Sequence, residues 1–201
     1  MNSHVAVDLV KELGAAPANP DEAWTRGWPQ TACEFEALVE AFQDRLVRFA
    51  FRRLGQRQDA EDAIQKVLVN VFLQRVKYRD VPHVTAFLYR MAANACVDSA
   101  RKRGRKAEVS LESIEFQEFS QGLPSAAGEA AAREELQRIE LLLAGLPRRQ
   151  AEVIRYRVFD ELSFADIARI IGRSEATVKS RFRYGLLKLK KKILSEGEVA
   201  K

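Results

Sequence analysis

The chain is poor in the residues that build metal sites and disulfides: two cysteines and two histidines occur in 201 residues. Cys33 and Cys96 each lack a second cysteine or a histidine at metal-ligand spacing. A zinc site and a disulfide framework are therefore not expected, and a reducing cytoplasm is the default compartment. No apolar run approaches the roughly 18 residues that a membrane span needs, so no membrane insertion is expected. The N-terminus also lacks the basic-then-apolar pattern of a secretory signal. Strand-rich stretches and internal repeats are missing as well. Asp59, Glu61 and Asp62 could suggest metal or acid–base chemistry, but no further ligand group, nucleophile or glycine-rich phosphate loop accompanies them. The expectation is a protein without catalytic residues, metal or cofactor, and not an enzyme.

What is present is helical pattern and charge. Thirty-three basic residues against twenty-eight acidic ones leave a net +5, a modest excess that suits a polyanionic partner only if it is concentrated on one face. Residues 1–30 are broken by Gly14, Pro17, Pro20 and Pro29, and hold both tryptophans, Trp24 and Trp28. They read as a mostly flexible extension that docks on the body or on a partner. Residues 31–106 carry three helical patterns. In the first, Phe35, Leu38, Val39, Phe42, Leu46, Phe49 and Ala50 keep helical spacing up to Gly55. The second opens near Asp59 with acids in its first turn, favourable to the helix dipole, and its core positions are Ala63, Ile64, Val67, Leu68, Val71 and Phe72. After the loop KYRDVPHVT, broken at Pro82, the third runs AFLYRMAANACVDSARKR. Its expected core is Phe87, Leu88, Met91, Ala92, Ala95 and Val97, and it ends in Arg101, Lys102, Arg103, Arg105 and Lys106.

From 107 to 130 the character changes. Glu108, Glu112, Glu115, Glu118 and Glu129 gather with no basic residue among them, and serine, glycine and Pro124 replace helical periodicity. This is a flexible acidic linker. Helical pattern resumes over 131–195, and 196–201 form a tail. The fold class expected is all-α: two small helical domains joined by the linker.

Within the second domain, SFADIARIIGRSEATVKSRFRY holds two short helical patterns around a tight turn. Ser163 caps the first, with Asp166 three residues on. Phe164, Ile167, Ala168 and Ile171 form its buried stripe, and Gly172 is a natural stop. Ser174 caps the second helix, which turns Val178, Phe182 and Leu186 inward. Its other face offers Thr177, Lys179, Ser180, Arg181 and Arg183, and no acid follows Glu175 until the far end of the chain. Helix, glycine turn and capped basic helix make a helix-turn-helix, whose second helix lies in the DNA major groove. Two amphipathic helices around a glycine are common, and the single-signed polar face is what tips the reading toward nucleic acid.

Four blocks in this order resemble the bacterial extracytoplasmic-function class of sigma factors, the group IV branch of the sigma-70 family. FEALVEAFQDRLVRFAFRRLG is similar to the opening helix of sigma region 2. DAEDAIQKVLVNVF resembles the block that docks on the clamp helices of core polymerase, AFLYRMAANACVDSARKR the block that handles the −10 promoter element, and LPRRQAEVIRYRVFDELSFADIARIIGRSEATVKSRF the −35-reading region 4. The resemblance implies that 31–106 are region 2 and 131–195 region 4. It implies polymerase contacts by Asp59, Glu61, Asp62 and Gln65. It also implies −10 contacts by Tyr78, Arg79, Asn94, Arg101, Lys102, Arg103 and Arg105, with Tyr78 and Arg79 helping to accept a flipped base. The −35 contacts implied are Ser174, Thr177, Lys179, Ser180, Arg181, Arg183 and Tyr184. The partners implied are core RNA polymerase, promoter DNA and an anti-sigma factor, in a bacterial cytoplasm. The Pro82 loop and AFLYRMAAN resemble the iron-uptake subgroup, whose partner is an inner-membrane regulator. Lys66 stands where that family usually has an acid, Phe87 replaces a tryptophan, and Tyr184-Gly185 replaces Arg-Ala. A stand-alone helix-turn-helix regulator would explain the last fifty or so residues alone, and a helical nuclease would need the carboxylates of 59–62 to hold metal.

Overall fold

The computed structural model describes residues 28–102, 139 and 141–199, with 195–199 described by backbone only. The helices are α1 (Ala32–Leu54), α2 (Arg57–Leu73), α3 (Val84–Lys102), α4 (Arg148–Val158), α5 (Phe164–Ile171) and α6 (Glu175–Val199), with a helical turn at 141–144 before α4. No strand occurs among the described residues. The first three helices belong to one compact unit and the last three to another. The linker 107–130 and most of 1–30 lie outside the described residues.

In the first unit α1 is fixed at both ends by local chemistry. Thr31 Oγ1 accepts from the Glu34 N–H at 3.2 Å. The Glu34 carboxylate accepts in return from Gln30 N–H at 2.7 Å and Thr31 N–H at 3.0 Å, a capping box. Those backbone donors, Gln30 first, hold the Glu34 carboxyl below its usual pKa. At the other end Gly55 takes the left-handed conformation, φ 72°, and its N–H donates to the Phe51 carbonyl at 2.9 Å. Two residues later α2 begins, packed on α1, and α3 packs on both.

The core is filled by Leu38, Phe42, Leu46, Phe49 and Ala50 of α1, Ala60, Ile64, Val67 and Val71 of α2, and Leu88, Tyr89, Ala92 and Cys96 of α3. Phe49 and Tyr89 meet edge to face at 5.1 Å, and the Arg53 guanidinium lies 3.6 Å from the centre of the Phe49 ring. The buried face of α3 differs from the expected one. Phe87, Met91 and Ala95 are only half-buried, whereas Val84, Tyr89, Ala93 and Cys96 are enclosed. Contact with two helices at once widens and rotates the inward face, drawing in residues that read as polar or small. The helix also starts at Val84, inside the stretch expected to be loop. On α2, Phe72 lies at the exposed margin rather than in the core.

In the second unit, α4 begins at Pro147 and buries Ala151, Val153, Ile154 and Tyr156. Leu162, fully enclosed, is held through both sides of its backbone. Its N–H donates to the Tyr156 carbonyl at 3.1 Å, and its carbonyl accepts from Arg157 Nη1 at 2.9 Å. The same guanidinium lies 4.8 Å from the Phe164 ring centre, and burial pulls its pKa down. Between α4 and this anchor Glu161 adopts φ 55°, a left-handed conformation uncommon for a residue with a side chain.

The crossing of α4 and α6 is set by Gly185. A Cβ there would stand 2.7 Å from Ile154 Cδ1, and Ile154 is itself buried. Gly185→Ala sets that clash against the roughly 1 kcal/mol that alanine gains over glycine in a helix interior, and Ile154→Val should destabilise by about 1 kcal/mol. Combined, they should cost at least about 1 kcal/mol less than the sum, because valine lacks the clashing methyl. Urea unfolding of the four proteins checks this, and simple additivity would count against a crossing limited by that contact.

Cys96 supplies a second test. Burial pushes its thiol from the ordinary 9.0 up to about 12, against the opposing pull of Arg53. Above pH 9 the unfolded chain releases a proton that the folded chain keeps, so stability should fall as pH rises from about 9 towards 12. Cys96→Ala should flatten that part of the pH profile after other alkaline titrations are subtracted. Native Cys96 should also resist alkylation at neutral pH.

Candidate nucleic-acid and protein interfaces

The helix-turn-helix is assembled from local signals. Ser163 Oγ accepts from the Asp166 N–H at 3.0 Å and hydrogen-bonds the Asp166 carboxylate, which also holds Arg169 at 3.1 Å. α5 stops at Gly172, φ 64°, with its N–H on the Ala168 carbonyl. Ser174 then caps α6: its Oγ accepts from the Thr177 N–H at 3.3 Å, and the two hydroxyls share a 2.9 Å hydrogen bond. Inward, Val178, Phe182, Gly185 and Leu189 follow at i, i+4, i+7 and i+11, and the Phe182 ring meets Phe164 edge-on at 5.3 Å.

Opposite that stripe, helical spacing aligns Thr177, Ser180, Arg183, Tyr184, Leu187 and Lys191. The expected residues therefore divide. Ser180, Arg183 and Tyr184 are exposed on the outer face, where the Arg183 guanidinium lies 5.7 Å from the Tyr184 ring centre. Ser174 and Thr177 are engaged at the cap. Lys179 stands on a flank, ion-paired to Glu175 at 2.6 Å, and Arg181 is half-buried on the other flank. Leu187 and Lys191 share the outer face but were not singled out from sequence, although their helical phase pointed there. The arrangement is a rod with cations and hydroxyls along one side, suited to phosphate and base-edge contacts.

In the first unit α3 carries Arg90, Asn94, Asp98 and Arg101 on its exposed side, with Arg101 3.7 Å from Asp98. Lys102 is exposed beside them, while Arg103 and Arg105 lie outside the described residues. Arg90 was missed in the sequence, although it stands one turn before Asn94. Tyr78 and Arg79 sit in the turns between α2 and α3. Arg79 is exposed. Tyr78 is half-buried, its hydroxyl donates to Gln74 Oε1 at 3.2 Å, and its ring lies 4.8 Å from that of Phe87. Trp28, expected in a mostly flexible extension, is 4% exposed and packs edge-on against both rings.

On α2, Glu61, Asp62 and Gln65 are exposed, and Glu61 pairs with Arg57 at 2.7 Å. Asp59 does not share that face fully: it is half-buried with one carboxylate oxygen enclosed, because it stands one turn before buried Ala63. Past Lys66 the same exposed side continues into Val69, Leu73 and Val76, which are 51%, 71% and 78% exposed. Asp62, Gln65, Lys66, Val69 and Leu73 lie on one side of α2, which changes from charged to apolar along its length, and exposed Val76 follows in the turns just past its end. An uncovered apolar stripe on a small domain marks a contact surface. It was hidden in the sequence because the run from Val67 to Leu73 is apolar on both sides of the helix.

Comparison with known proteins fits this geometry. The family model for sigma-70 region 2 matches residues 38–106 and that for sigma-70 region 4 matches residues 136–189. The chain belongs to the sigma-70 family, and its two helical units hold those two regions. Within that family it is an extracytoplasmic-function (ECF) sigma factor. It is 26% identical over 167 residues to the ECF RNA polymerase sigma factor SigW of Bacillus subtilis, covering 79% of this chain and 88% of SigW. Identity to the ECF RNA polymerase sigma factor SigD of Mycobacterium tuberculosis is 27% over 168 residues, covering 81% of this chain and 78% of SigD. Among solved structures, CnrH in complex with the cytosolic domain of CnrY aligns with TM-score 0.57 and 22% identity, over 83% of this chain and 91% of that one. RpoE of Bartonella quintana, in complex with the anti-sigma factor NepR, aligns with TM-score 0.56 and 22% identity, over 81% and 97%. At that identity the two structures speak to the fold. No described helix is long and apolar enough to cross a membrane.

Proposed function

We propose that the chain is a promoter-specificity subunit of bacterial RNA polymerase, working in the cytoplasm. The exposed side of α2 and the turn after it dock on core polymerase, with Glu61, Asp62 and Gln65 as polar contacts and Val69, Leu73 and Val76 as the apolar part. Asp59 acts at the edge of that surface. α3 and the turn before it handle the −10 element through Tyr78, Arg79, Asn94, Arg101, Lys102, Arg103 and Arg105. α6 enters the −35 major groove with Ser180, Arg183 and Tyr184 foremost, and Ser174, Thr177, Lys179 and Arg181 at its end and flanks. An anti-sigma factor covering these faces supplies control, in keeping with the anti-sigma complex of RpoE.

The uncovered side of α2 carries this reading beyond its rival. A stand-alone helix-turn-helix regulator has a use for α4–α6 but none for an apolar stripe on a separate three-helix unit. Run-off transcription with purified core polymerase on a promoter library tests it. Core-dependent, sequence-selective initiation is expected, whereas tight operator binding with no effect on core would favour the rival. Arg183→Ala should weaken promoter binding and lower the salt slope by about one. Lys179→Ala should do less, since Glu175 already holds that ammonium.

The finer assignment to the iron-uptake subgroup rests on the Pro82 loop and AFLYRMAAN. Iron limitation should then raise the transcripts that depend on this protein, as measured by comparing deletion and parent strains. An unchanged set would set the subgroup aside.

A further inference from the structure

The rings of Trp28, Tyr78 and Phe87 close on one another, with centroids 5.7 Å apart for Trp28–Tyr78, 5.5 Å for Trp28–Phe87 and 4.8 Å for Tyr78–Phe87. Trp28 precedes the residues matched to region 2, so that match assigns it nothing. Its backbone is nonetheless tied to α1. Gln30 Nε2 donates to the Trp28 carbonyl at 2.9 Å, and the Gln30 N–H ends on the Glu34 carboxylate of the capping box. The indole is therefore a fixed wall, while Tyr78 sits in a turn and has one side-chain hydrogen bond, to Gln74.

The indole Nε1–H is buried and meets no acceptor among the described residues. A stranded buried donor is unfavourable, and a phenyl ring would fill much of the same space without one. The donor becomes useful when an acceptor enters the ring cluster. A purine or pyrimidine fits both needs, since it stacks on aromatic faces and carries carbonyl oxygens and ring nitrogens at its edge.

We propose that Trp28, which lies outside the matched region, is the hydrogen-bond donor to the unstacked −10 base that this turn takes. The proposal rests on the −10 role given above to the α2–α3 turn. Tyr78 swings aside, the base takes its place against Phe87, and a carbonyl oxygen or ring nitrogen of the base accepts the indole N–H. Stacking alone would tolerate any base. The fixed donor selects bases that present an acceptor there and disfavours those that present an amino group, which would leave two donors facing each other.

The test uses the full chain with core polymerase and promoters varied at each −10 position, including analogues that lack one acceptor atom. Trp28→Phe should keep the thermal melt and core affinity of the parent and still initiate. At one −10 position, however, it should lose about five- to tenfold of the base preference, the scale of one neutral hydrogen bond. Deleting the acceptor from that base should cost the parent a similar factor and cost Trp28→Phe nothing further. If phenylalanine does not keep the fold, benzothienylalanine at position 28, shaped like indole but without the N–H, carries the same comparison. Parent-like discrimination by the variant, or losses that simply multiply, would overturn the role of Trp28 while leaving promoter recognition intact. Absence of core-dependent initiation by the parent would overturn both.

Discussion

Two left-handed glycines decide where everything after them goes. Gly55 ends α1 and returns the chain as α2 within two residues, and Gly172 ends α5 three residues before α6 begins. At each, the N–H of the glycine closes on a carbonyl of the last turn, and a side chain would meet the steric penalty of positive φ. Because the stops are sharp, the side of the next helix that faces inward is fixed by residue count. A slip of one residue would rotate α6 by about 100° and turn Ser180 and Arg183 away from the outer face.

What was legible in the sequence follows from that locality. Ser163, Gly172 and Ser174 signal caps and a stop within a few residues of themselves, and each acts in the structure as its chemistry suggests. The division into two all-helical units was legible from the break in periodicity. The inward face of α3 was not, because it depends on two partner helices, and Tyr89 and Cys96 are enclosed by neighbours distant in sequence. The apolar side of α2 was concealed by a run in which core and surface residues look alike. For Trp28 the sequence left docking on the body or on a partner open, because its burial depends on Tyr78 and Phe87, some fifty residues or more away.

α6 and the exposed side of α2 offer their partners different physics. α6 presents cations and hydroxyls, whose contacts with phosphate weaken with salt. α2 presents apolar side chains beside carboxylates, whose burial is much less sensitive to ionic strength. A single chain thus holds a cationic helix face and a partly apolar one, which respond differently to salt.

The length of α6 has its own consequence. Twenty-five residues span about 37 Å, whereas the major groove is about 12 Å wide. In the docking proposed above it is the N-terminal turns that meet base edges, and the rest of the helix, with Leu187, Lys191 and Leu194, extends beyond them. Since one continuous helix joins the two portions, the far part is a lever arm. On that reading, a lateral displacement near Leu194 would tilt the helix at Ser180 as well.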